Sequence, residues 1–182
     1  MRKLFLVASL FLAISISSQS FIQAYQNRVN TVSQANINTY LTEFASYGVK
    51  TTGSTANANA LAWLKNKYTS FGYTTSEIVE DPFSVGSTNS KNLVVTKTGT
   101  TYPNTFVIIC GHFDTIAGPG VNDNGSGVST ILEIARILKN VPTEYSIKFI
   151  NFSGEEQGLN GSQHFVSNVV NASNPKMDIK VV

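Results

Sequence analysis

Residues 105–152 read TFVIICGHFDT IAGPGVNDNGSG VSTILEIARILKN VPTEYSIKFINF, and their order decides the fold. The apolar, β-branched run Thr105–Cys110 gives way to a Gly- and Asn-rich stretch that cannot continue a strand. Ser126–Asn140 then carries Val128, Ile131, Leu132, Ile134, Ala135 and Leu138 at helical spacing, and Ser146–Phe152 is a second strand-like run. Strand, helix and strand in that succession specify a βαβ unit. Working outward, Val32, Ala35, Ile37, Leu41 and Phe44 predict a helix over Val32–Phe44 with Ser33 as its N-cap. Ala58, Leu61, Leu64 and Tyr68 predict another over Thr55–Ser70, ended by Gly72, with Thr51–Ser54 as the loop between. Further strands are expected at Asn92–Thr96 and Ile179–Val182, and a helix at Ser162–Val169. The fold class is therefore α/β, in three layers, with a mixed, largely parallel central sheet flanked by helices.

Composition narrows the function. The 182 residues suit one domain, and 13 Lys plus Arg against 11 Asp plus Glu leave a formal charge of +2. Arg2 and Lys3 account for that excess, so the rest is neutral and offers no basic stripe for nucleic acid. With 42% hydrophobic residues the chain is too apolar for intrinsic disorder. A single cysteine, Cys110, excludes an internal disulfide framework and a Cys-rich zinc site. Residues 1–20 place a basic pair before the 13-residue run Leu4–Ile16, 11 of which are apolar, and then a short polar run ending at Ser20. That is the layout of a signal peptide, too short for the roughly 20 residues that span a bilayer. The expected arrangement is a leader over residues 1–20, one domain over 21–182, and a secreted or periplasmic product with no membrane attachment after the leader is removed.

Three loops carry the chemistry, each beside a strand's carboxyl end, where α/β sheets bind ligands. Gly111-His112-Phe113-Asp114 closes the strand Phe106–Cys110, so His112 can offer a ring nitrogen to a metal while Asp114 accepts the other ring N–H. Asn122-Asp123-Asn124-Gly125 leads into the following helix and brings a carboxylate to the same edge. Gly154-Glu155-Glu156-Gln157-Gly158 follows the strand Ser146–Phe152 with two adjacent carboxylates, which resist joint ionisation unless a cation compensates them. One of the pair can coordinate while the other handles a proton. Imidazole with carboxylates and no thiolate suits zinc better than magnesium or calcium. These residues predict a metal-assisted hydrolase.

The same motifs, through Leu159 and Gly161-Ser162, resemble the secreted di-zinc aminopeptidases of bacteria and fungi, relatives of glutamate carboxypeptidases and glutaminyl cyclases. The resemblance runs from about Ser33 to Val182. It implies a zinc-exopeptidase-like domain with two zinc ions sharing one water. His112 would ligate one ion, Asp123 would bridge both and Glu156 would ligate the other. Glu155 would be the general base, Asp114 the partner of His112, and the peptide bond after Asp123 would be cis. The implied substrates are peptides with a free N-terminus. The family completes its site with an Asp about one strand after Glu156 and a His further on. The sequence closes on Ile179–Val182, so the domain is expected to be truncated there.

Asp178 precedes that last strand and is not assigned to the site. His164 reads as a packing histidine, Trp63 as core, and Cys110 as a small hydrophobe in a buried strand. Among the Asn-x-Ser sequons only Asn171 lies clear of the motif loops, as a glycan acceptor. The alternatives to an aminopeptidase are carboxypeptidase or glutaminyl-cyclase chemistry on the same scaffold, or an inactive truncated homologue.

Overall fold

The computed structural model describes residues 22–182, so the leader expected over residues 1–20 lies outside the described residues. The described residues through Thr31 and residues Val32–Val182 form separate units. Of the first, Gln23–Val29 is a short helix, α1, with no buried residue, closed where the Thr31 hydroxyl donates to Arg28 O.

In the second unit, α2 (Gln34–Ser46) begins where expected, because the Ser33 hydroxyl accepts the Asn36 N–H at 3.2 Å. Ser54 caps α3 (Thr55–Ser70) in the same way, at 3.1 Å from Asn57 N. Then come strands β1 (Ile78–Val85), β2 (Thr88–Lys97) and β3 (Tyr102–His112), helix α4 (Gly127–Leu138), and strand β4 (Tyr145–Phe152). Helix α5 (Asn160–Phe165), a further turn to Val170 and strand β5 (Asp178–Val181) finish the unit. No helix among the described residues is long and apolar enough to cross a membrane.

The strands form one sheet in the order β1-β2-β4-β3-β5. β4, β3 and β5 are parallel, and β1 and β2 join antiparallel at the β4 edge. The sheet is thus mixed, with its parallel part built on the βαβ unit. β1 was not expected, because Pro82 lies within it; proline lacks the N–H a central strand needs. The edge position resolves this, since β1 pairs only with β2.

Alternation along the strands produces the layers. Leu93, Val95, Ile147 and Phe149 face α2, α3 and α4, packing with Phe44, Leu64, Tyr68, Val128 and Leu132. Val94, Ile108 and Ile150 face the other way, towards Phe165 and Val170. Cys110 shares that second face but is exposed, against the expectation of burial, because it borders an apolar hollow of about 540 Å³ between α5 and β5. Trp63 is core, as expected, with 7% of its surface exposed.

Candidate metal centre

β3 extends two residues beyond the expected strand because Gly111 and His112 stay in register with Asn151 and Phe152 of β4. This pairing places His112 and the Glu155-Glu156 loop at the same edge of the sheet. His112 Nε2 lies 3.0 Å from Asp123 Oδ1 and 3.7 Å from Glu155 Oε2. Ligating atoms of His112, Glu155 and Glu156 lie within 4.8 Å of one another. The structure therefore gathers His112, Glu155 and Glu156 into one cluster and sets Asp123 against the His112 ring from a third loop.

Asp114 takes a part the sequence does not reveal. His112 Nδ1 is closer to its backbone carbonyl, at 3.2 Å, than to its carboxylate, at 3.6 Å. The carboxylate is fully buried and accepts the backbone N–H groups of Glu155 and Glu156, each at 3.2 Å, and the Thr52 hydroxyl at 3.3 Å. Asp114 thus meets His112 with both its main chain and its carboxylate, and holds the paired glutamates through that same carboxylate. Its burial makes it a positioning residue, which faces His112 as expected and also holds the glutamate loop, a part the expectation did not include.

Behind the glutamate loop is a buried polar network that sequence reasoning missed. Asn92 Oδ1 accepts Ser153 N at 3.1 Å, while its amide donates to Asp81 Oδ2 at 2.8 Å and Gly161 O at 2.9 Å. The Ser153 hydroxyl takes a hydrogen bond from Asn57 at 3.1 Å and one from Ser90 at 3.1 Å. Gly154 turns the chain with φ of +75°, and Asn160 N donates back to Gly154 O at 2.8 Å. The network gathers residues from α3, β1, β2, the loop after β4 and the start of α5, so no local spacing signals it.

Asp123 sits in a turn spanning Val121–Ser126, and its peptide bond to Asn124 is cis, as the resemblance implies. Gly125 N donates to Gly120 O at 2.8 Å, and Asn124 Oδ1 accepts Gly127 N at 3.1 Å at the start of α4. Ser126 does not cap that helix; its hydroxyl donates to Asn122 O at 2.7 Å. The Asp123 side chain remains 75% exposed.

Charge is concentrated at this edge. Burial works against a charged His112 ring, but the hydrogen bonds and charge of Asp114, with the charge of Glu155, push it up to about 9. Burial raises Glu156, and the carboxylates of Asp123, Glu155 and Asp114 raise it further against the opposing pull of His112. Crowded carboxylates around one imidazole are a donor set that fits a divalent cation such as zinc.

The residues set aside earlier stay apart. Asp178 accepts the Thr105 hydroxyl at 2.7 Å and pairs beside it, at the opposite end of β3 from His112. His164 Nε2 is 3.2 Å from Asp81 Oδ1, its Nδ1 meets Asn168 at 3.0 Å, and its ring rests near Phe83.

The chain is similar in sequence and in fold to known proteins. The chain is 50% identical over 64 residues to aminopeptidase YwaD of Bacillus subtilis, covering 35% of this chain and 14% of that one. It is 29% identical over 170 residues to a probable zinc metalloprotease of Pyrenophora teres f. teres, covering 80% of this chain and 35% of the relative. The LapA aminopeptidase of Legionella pneumophila superposes with a TM-score of 0.71 at 26% identity, over 91% of this chain and 48% of LapA. The chain thus spans half or less of each of these proteins. The sequence profile of peptidase family M28 matches residues 92–182, half of the chain and the half holding His112, Asp114, Asp123, Glu155 and Glu156, so the chain belongs to peptidase family M28.

Proposed function

We propose that the chain carries the catalytic edge of a zinc-dependent exopeptidase that removes N-terminal residues from peptides. The observation that carries this reading is the convergence of Asp123, Glu155 and Glu156 on the one imidazole of His112. Aminopeptidases and a zinc metalloprotease among its relatives support it. His112, Asp123 and Glu156 would hold the metal. Zinc, when bound, lowers the pKa of its water to about 7 and polarises the scissile carbonyl.

The chain's own residues do the rest. The Glu155 backbone, through Asp114, Gly158 and Leu159, fixes the loop, and its carboxylate stands at the site with Oε2 3.7 Å from His112 Nε2. It takes a proton from the attacking water and returns it to the departing amine. Asp114 keeps Glu155 and Glu156 side by side so that one coordinates while the other moves the proton. The leader over residues 1–20 directs export, and the exported protein is expected to begin near Phe21.

The Glu155→Gln variant tests the assignment. Hydrolysis of a leucyl anilide should fall by about 10²–10⁴-fold, with zinc content unchanged. Loss of zinc together with activity would make Glu155 a ligand and overturn its role as base. Turnover of an N-acetylated peptide, or cyclisation of an N-terminal glutamine without hydrolysis, would overturn the aminopeptidase reading.

A further inference from the structure

We propose that Lys50 is a positioning residue for the Asp123 turn, its buried ammonium pinning the loop between His112 and Asp123 to the end of α2. The side chain is fully buried, and its Nζ donates to Gly48 O at 2.8 Å, Pro119 O at 2.8 Å and Phe44 O at 3.4 Å. It also lies 3.8 Å from the centre of the Phe44 ring. No carboxylate stands within ion-pair distance of it among the described residues. A buried cation without a counterion is costly, and an apolar side chain would fill the same space without that cost. Burial alone holds Lys50 down to about 8. Its retention therefore calls for work that an apolar residue could not do.

The contacts show that work. Lys50 N donates to the Thr115 hydroxyl at 2.8 Å and Lys50 O accepts Thr115 N at 3.2 Å, three residues after His112. The ammonium holds Pro119 O, four residues before Asp123. Phe44, the ring under the ammonium, abuts Gly125, where an added Cβ would lie 2.9 Å from Phe44 Cδ1. Lys50 and Phe44 thus secure the segment on both sides of Asp123. Removing the ammonium frees Pro119 O and lets the Asp123 carboxylate drift from His112 Nε2. The carbonyls of Phe44 and Gly48 belong to the last turn of α2 and its exit, where the helix dipole favours a cation.

This proposal takes from the previous reading only the meaning of Asp123, and its test separates the two. Amide hydrogen exchange is measured on metal-free wild type, Lys50→Met and Lys50→Arg. In Lys50→Met the Gly125 amide should exchange at least about tenfold faster while the amides of Ile131–Ala135 in α4 keep their rates; Lys50→Arg should stay near wild type. Zinc titration should show about tenfold weaker binding by Lys50→Met. Unchanged Gly125 exchange, or acceleration only in step with α4, would overturn the proposal. Should Lys50→Met fail to fold, wild type alone decides by linkage: zinc should slow exchange of the Lys50 ammonium protons, and no slowing would overturn it. A wild type that binds no zinc would sink the metal reading, while the exchange comparison would still judge Lys50.

Discussion

His112 keeps its proton to about pH 9 in the metal-free chain because Asp114 and Glu155 favour the charged ring over the cost of burying it. Its ordinary value is 6.5, so the sign of its effect on folding follows. The folded state binds the proton more tightly, and the stabilisation is fully present below pH 6.5 and is lost as pH rises through about 9. A metal must displace the same proton. Zinc affinity should therefore rise with pH by about tenfold per unit below pH 9, with release of about one proton per ion near neutrality. Titrations at several pH values check this, and an affinity flat in pH would place the metal elsewhere. At this scale the sequence was most informative about the residues that meet at the sheet edge. His112, Asp123, Glu155 and Glu156 each follow a strand end or a glycine-bounded turn, which is a local pattern. Asp114 was legible as a partner but not as the acceptor for the Glu155 and Glu156 amides, 41 and 42 residues away. Thr52 was read only as part of a loop and Lys50 was not singled out, since the partners that tie them to the site, Asp114 and Pro119, lie 62 and 69 residues further on.

Among the elements, β2 contributes more than a strand. Asn92, at its centre, is the rivet between β1, the Ser153–Glu156 loop and the start of α5, through Asp81, Ser153 and Gly161. Asn92→Ala leaves Ser153 N and Gly161 O buried without their partner, at about 1–3 kcal/mol each. Chemical unfolding should show that loss, and zinc affinity should fall with it because the glutamate loop loses its anchor. A loss below about 0.5 kcal/mol would mean that water replaces the amide. The helices were legible from an apolar stripe, joined by the Ser33 cap for α2; the Ser54 cap of α3 was read only as loop. β1 was not, because Pro82 counts against a strand until the strand is known to be an edge. Cys110 was misplaced for a related reason. Periodicity assigns it a face of β3, but only the packing of α5 and β5 decides how much of that face is covered.

For the Val32–Val182 unit as a whole, the sheet sets the site. Parallel pairing of β3 and β4 brings two carboxyl ends to one edge, and α4 returns the chain between them while the turn before it, Val121–Ser126, presents Asp123. The large apolar layer of α2, α3 and α4 makes that edge rigid, and Phe44 belongs both to this core and to the Asp123 turn. This much of the architecture was visible in the βαβ pattern of residues 105–152; the direction of β2 was not, since antiparallel addition leaves no mark within the strand. The central claim is that His112, Asp123 and Glu156 form a zinc site on this edge. Zinc titrated calorimetrically into the purified chain and into its His112→Ala variant tests it most directly. The account predicts zinc binding by the wild type that weakens by about 100-fold or more in the variant. A wild type that takes up no zinc, or a variant that binds it equally well, would contradict it.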